Sequence, residues 1–251
     1  MQFLFVIDKE NILFYNHFDV MISRNRLDFL EQLGANNSKE RMDEHRDWYQ
    51  DVRKEYLWFA QKLIDIYGWV ESWFIDKKPS DVIFRINRDI RFSKNKSPYK
   101  SWMSVYLAPS GKNRELIWPY IHIQPGNQSF IGCGLWTPQS RVLRAFREYV
   151  AVHYTKFTAL LSDKDLVNFF GVLQTQWLKT YPKWFTKDHP ALQYLQYKSF
   201  TFQRSFSDAE VLDPKFLDIC TEAMKIQLDF NRFVNTAIEE GRPIGDGEIF
   251  G

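Results

Sequence analysis

Cysteine is scarce: Cys133 and Cys220 are the two in 251 residues. Two distant thiols give neither a disulfide framework nor the spacing of a metal site. The five histidines, His17, His45, His122, His153 and His189, show no paired spacing either, so no metal is expected. Long apolar runs are missing, and no membrane span is expected. "MQFLFVI" is apolar but short. Asp8, Lys9 and Glu10 follow it at once, and it lacks the basic start and small-residue cleavage site of a signal peptide. A large charge excess is missing too. The net charge of +2 is below what a non-specific DNA-binding domain carries. No glycine-rich phosphate loop, nucleophile elbow or dinucleotide fingerprint occurs, and no internal repeat is seen. These absences point to a reduced, cytoplasmic protein with no membrane partner and no indicated cofactor. They set no oligomeric state.

What the chain has in quantity is aromatic: 22 Phe, 12 Tyr and 9 Trp. Aromatics favour half-buried sheet surfaces, so a real β-sheet is expected. Its place is the middle of the chain. In "LIWPYIHIQ", Ile117, Pro119, Ile121 and Ile123 alternate with Trp118, Tyr120, His122 and Gln124, which is strand periodicity. "PGN" at 125–127 is a turn signal and "SFIGCGLW" continues beyond it. Upstream, "SWMSVYLA" alternates as well and ends at the turn-like "PSGKN". Three strands of an antiparallel meander over 101–135 follow, with residues 82–87 as a candidate fourth. Pro119 predicts an edge or a bulge for its own strand.

Helices flank this region. Leu27, Phe29, Leu30 and Leu33 suggest a short one ending at Gly34, where glycine takes a left-handed cap. Trp48, Val52, Tyr56, Phe59, Leu63 and Ile66 fit one stripe of a helix over about 39–67. Thr137-Pro138 and Asp213-Pro214 are cap-and-proline starts. The second leads into a long final helix to about Glu240. Asp163 and Asp165 in "SDKD" fit a helix cap. The expected architecture is α+β: a single domain over 25–240, a central antiparallel β-meander of three to five strands, and helices before and after it. Residues 1–24 read as an appendage or short strand, and 241–251 as a loose tail.

The densest charge lies in "FRINRDIRFSKNKSPYK". Arg85, Arg88, Arg91, Lys94, Lys96 and Lys100 stand against Asp89, a net +5 that leaves −3 for the rest. Read as a continuous strand, 83–92 would put Arg85, Asn87, Asp89 and Arg91 on one face. Arg88 would then join the apolar row of Phe84, Ile86, Ile90 and Phe92, which is costly without partners. The arginine fork suits phosphate and carboxylate through two parallel charge-assisted bonds. Composition alone favours a solvated edge and a basic loop.

"RINRDIRFSKNKSPY" fits, without a gap, the pattern R-x-x-R-D-x-R-F-x-x-x-K-x-x-Y, and in this the chain resembles the largely bacterial domain-of-unknown-function family 2461. The matching positions are Arg85, Arg88, Asp89, Arg91, Phe92, Lys96 and Tyr99. Asn36-Asn37, "YIHIQPGNQSFIGCGLW" with Pro138, and "KDHPALQYLQYKSF" also look similar, so the resemblance covers roughly residues 25–240. "ERM" stands where the family often has Trp-Phe after the two asparagines, and the first two dozen residues do not resemble the family start. The resemblance supplies no reaction. It favours a functional anion site, with Arg85, Arg88, Arg91, Lys96 and Tyr99 as ligand-binding residues. From the residues themselves, Asp89 within the motif and His122 on the polar face of its strand are weak candidates for proton transfer.

Of these, His122 reads more readily as a half-exposed strand histidine held by Tyr120 or a backbone group. Cys133, between Gly132 and Gly134, reads as a small buried residue at a point of close approach by a ligand or another backbone. Arg141, Arg144 and Arg147 share one side of a helix and read as a solvated face. Three functional expectations follow. One is an enzyme on a phosphorylated or nucleotide-like substrate. The second is a non-catalytic module for nucleic acid or an acidic partner. In the third, the arginines and Asp89 form a purely structural network.

Overall fold

The computed structural model describes residues 3–8 and 11–16 as backbone, and 22–68, 70–74, 76–108, 116–183 and 185–241. The expected tail and the "PSGKN" turn lie outside the described residues. In chain order, β1 (Phe3–Asp8) pairs antiparallel with β2 (Asn11–Asn16). Then follow α1 (Arg24–Ala35), α2 (Lys39–Glu44), α3 (Arg46–Gly68), α4 (Pro79–Val82), β3 (Met103–Tyr106), β4 (Tyr120–Ile123) and β5 (Ser129–Leu135). The chain continues through α5 (Ser140–Val152), α6 (Tyr154–Leu161), α7 (Lys164–Phe170), α8 (Leu192–Leu195), β6 (Phe200–Phe206), α9 (Asp208–Val211), α10 (Phe216–Ile226) and α11 (Leu228–Glu240). Strands β3 to β6 form one antiparallel sheet in sequence order, with helices before and after it. The class is α+β, as expected.

Two compact units make up the chain. The first comprises residues 1–112, 119–131 and 205–225; the second comprises 113–118, 132–204 and 226–251.

In the first unit, Leu27, Leu30 and Leu33 of α1 and Val52, Phe59 and Leu63 of α3 are buried at helical spacing. Phe59 stacks on Phe216, which meets Phe206 edge-on at 5.3 Å. Serines cap both α1 and α2: Ser23 accepts from the Arg26 N–H and Ser38 from the Arg41 N–H. The β4–β5 turn has positive φ at Gly126 and Asn127, the geometry that a tight hairpin requires. The Asp208 carboxylate accepts from both of their N–H groups at 2.9 Å.

In the second unit, α5, α6, β6 and α11 surround an aromatic core. Phe146 meets Phe200 at 4.7 Å, and Phe157 stacks on Phe233 at 5.5 Å. The buried Asn235 amide of α11 accepts from the Ile117 N–H at 2.8 Å and donates to the Ile117 carbonyl at 3.0 Å. These two bonds tie the main chain of residue 117 to α11.

Several expectations shift. The fourth strand is β6, not residues 82–87, which make only isolated bridges, from Ile83 to Val105 and from Asn87 to Tyr99. Pro119 precedes β4, and β4 is internal. The proline causes no loss there, because its carbonyl serves as acceptor for the Leu107 N–H at 3.0 Å. Gly34 lies inside α1, which ends at Ala35 with Asn36 as its C-cap. The 39–67 helix is broken at His45 and the final helix at Gln227. Thr137-Pro138 lies ahead of the helix: α5 starts two residues after Pro138, with Gln139 at its N-cap. Asp163 does cap α7, accepting from the Leu166 N–H.

Gly132 and Gly134 of β5 face the main chain of β6. A Cβ on Gly134 would come within 2.0 Å of the Phe200 carbonyl oxygen, and its φ is +113°. Gly134→Ala is therefore expected to cost about 3 kcal/mol or more, read as a lower urea midpoint or loss of soluble protein. An unchanged midpoint would show that β6 can move away freely.

Candidate functional site

Residues 83–100 form no strand. They fold back on themselves as a loop: the Arg88 N–H bonds the Pro98 carbonyl at 2.8 Å, and the Lys100 N–H bonds the Ile86 carbonyl at 2.8 Å. Asn37 clamps the returning arm. Its Oδ1 accepts from the Tyr99 N–H and its Nδ2 donates to the Tyr99 carbonyl, both at 2.9 Å. An asparagine amide presents one donor and one acceptor side by side, so it pairs with a single residue's main chain as a neighbouring strand would.

The cations divide into two groups. Arg88 is half-buried and turns into the loop, donating to the Ser97 carbonyl at 3.1 Å and to Ser93 Oγ at 3.4 Å. Lys96 donates to the Ile90 carbonyl at 3.0 Å, and Lys100 to the Arg85 carbonyl. These three hold the loop's main chain. Arg85, Lys94 and Arg91 are exposed. Arg91 makes a two-pronged pair with Asp89, at 2.7 and 3.0 Å. The bonds from Arg91, first of all, hold the Asp89 carboxyl down to about 2. The three motif arginines therefore do not share one direction: Arg88 faces inward while Arg85 and Arg91 face solvent.

Phe92 is the residue that the alternation misplaced. Read as part of an apolar row, it is instead 95% exposed, with the Arg91 guanidinium 5.8 Å from its ring centre. Exposure cannot be read from a residue type, and no strand exists here to bury it.

Next to the loop's end, the Lys100 ammonium lies over the Trp102 ring at 5.0 Å, and Trp102 lies against His122 at 4.9 Å. His122 stacks on Phe130 at 4.7 Å. Both of its ring nitrogens are engaged: Nδ1 is 3.1 Å from Tyr120 Oη and Nε2 is 2.8 Å from Gln124 Oε1. Burial pushes its imidazole below the ordinary value, against the opposing bond to Gln124. Tyr99 is held by its main chain. Cys133 is buried, and burial pushes its thiol far above the usual range. What approaches Gly132 and Gly134 is backbone, that of β6. Of the three α5 arginines, Arg141 and Arg144 are exposed, but Arg147 is buried and donates to the Tyr197 carbonyl at 2.6 Å. Its solvated-face reading fails because the Tyr197 carbonyl offers it an inward partner.

A family model described as "Conserved hypothetical protein (DUF2461)" matches residues 25–233. Comparison with curated proteins and with solved structures gave no match. Among the described residues, no helix is long and apolar enough to cross a membrane.

Two outcomes follow from the clamp and the histidine. Asn37→Ala removes both bonds to Tyr99 and should lower unfolding free energy by about 1–3 kcal/mol, measured in urea. An unchanged value would mean that the loop holds without Asn37. A histidine with a depressed folded value binds fewer protons folded than unfolded. Its contribution is therefore complete above the unfolded value and is lost as pH falls below it. The urea midpoint should decline below about pH 6.5, and His122→Gln should flatten that decline. Equal slopes in both proteins would exclude His122 as its source.

Proposed function

The chain belongs to the DUF2461 family of conserved hypothetical proteins, and from that premise we propose that it binds single-stranded nucleic acid through the loop 85–100. The observation that carries this reading is the exposed Phe92 beside Arg91, on a loop that also presents Arg85 and Lys94. Cations contact backbone phosphates, and an exposed aromatic ring stacks on a base whatever its identity. Arg88, Lys96, Lys100 and Asn37 support the reading in a second way. They fix the loop's main chain before any ligand arrives, so less ordering opposes binding. Asp89 occupies one edge of the Arg91 fork. A guanidinium has five donors, so the pair still leaves donors for phosphate, and an exposed ion pair is weak enough to exchange partners.

Binding is favoured over turnover by the state of the groups suited to proton transfer. A carboxyl held down to about 2 is a poor base. His122 is buried with both nitrogens engaged.

Fluorescence anisotropy of a labelled single-stranded oligonucleotide, read against salt, tests the proposal. Each phosphate contact contributes about 0.7 to the slope of log affinity against log salt. Arg85→Ala and Arg91→Ala should each lower that slope by about this amount. Phe92→Ala should weaken binding about tenfold while leaving the slope unchanged. Absence of binding at low salt, or binding indifferent to Phe92→Ala and Arg91→Ala together, would refute the assignment.

A further inference from the structure

The second unit contains a cavity of about 750 Å³, within the range of small-ligand sites. The first turn of α5 and the residues before it form one wall. Gln176, Leu178, Lys198 and Ser199 form the facing wall. Arg141, Arg144 and Arg147 all line it, spaced by three along the helix, and among the described residues no carboxylate does. Arg144 is bonded to Glu148 at 2.8 Å on its outer side.

Two observations point to an anionic occupant. The first is Arg147. It is only 6% exposed, yet among the described residues its Nε has no hydrogen-bond partner, and the bond it does make is to a neutral carbonyl. A buried guanidinium without a negative partner is unfavourable, and burial holds it below the ordinary arginine value. An anion in the cavity would supply the missing charge. The second is the helix start. Gln139 provides no side-chain cap, and the first turn has no acidic residue. The positive end of the helix dipole, which attracts phosphate and carboxylate, therefore receives no counter-charge from its own cap or first turn.

The walls also suggest what the anion is attached to. Trp136 lies at the cavity with 66% of its surface exposed. With Pro138, Leu143 and Leu178 it adds an apolar surface, more than a bare inorganic ion needs. A ring can stack on the indole face while its charged end lies among the guanidinium groups. We infer that this cavity is a binding site for a small phosphate monoester carrying a planar ring, with Arg141, Arg147 and Lys198 meeting the phosphate and Trp136 the ring. The site is separate from the loop 85–100 in residues and in ligand class.

Titration calorimetry with phenyl phosphate and with inorganic phosphate tests it on the full chain. Saturable one-to-one binding of phenyl phosphate is expected, about tenfold tighter than inorganic phosphate. Arg141→Gln and Lys198→Gln alter exposed side chains, so both should fold; each should weaken phenyl phosphate about fivefold or more. Trp136→Ala should reduce the preference for phenyl phosphate over inorganic phosphate. Arg91→Ala should leave both ligands unaffected. No saturable heat with phenyl phosphate in the wild-type protein would overturn the inference. So would binding that survives Arg141→Gln and Lys198→Gln unchanged, or that is lost in Arg91→Ala.

Discussion

The closeness of β6 to β5 is the constraint on which the second unit depends. Side chains at 132 and 134 would meet the Phe202 and Phe200 carbonyls at 2.7 and 2.0 Å, so only hydrogen atoms fit between the strands there. Phe200 and Phe202 reach the aromatic core because of this approach. Residues 197–199, just ahead of the strand, take their places with it. They provide the carbonyl that receives Arg147 and the wall that carries Lys198 and Ser199. Two glycines thus decide where a cavity can exist several residues away.

Arginine is used in three physical settings. Arg91 is exposed and paired, where solvent screening keeps the pair weak. Arg88 is half-buried and bonded to main-chain oxygens, acting as a brace. Arg26 is 1% exposed, with Glu55 at 3.4 Å and the Tyr56 ring at 5.7 Å. Burial lowers its ordinary value, and the Glu55 charge opposes that. The residue type is constant, and its role is set by which acceptor lies within reach.

That dependence explains what could be read in the sequence. The meander was legible because alternation over 101–135 is local, and so was the turn at 125–127. The strand β6 was not. Phe200, Phe202 and Phe206 keep a period of two, but Arg204 stands where the next apolar residue belongs, and the partner strand lies some 70 residues upstream. The helix breaks at His45 and Gln227 carry no glycine or proline to mark them. At the candidate site the charge run was plain. Which cations turn inward was hidden, because the carbonyls that receive Arg88, Lys96 and Lys100 are placed by the loop's own return path. Phe92 had the composition of a core residue and the surroundings of a surface one.

The Asn235 amide closes on the main chain of Ile117 across a separation of 118 residues. Synthesis makes Ile117 long before Asn235 exists. Throughout that interval the peptide groups of residue 117 have water, and not α11, as partner. The second unit, assembled from three separate stretches of chain, therefore closes only after α11 has left the ribosome. The aromatic side chains of 146 and 157 wait that long for Phe233. The period of greatest exposure to aggregation is thus the interval before α11 emerges, and its length is set by the stretch of chain between Ile117 and that helix.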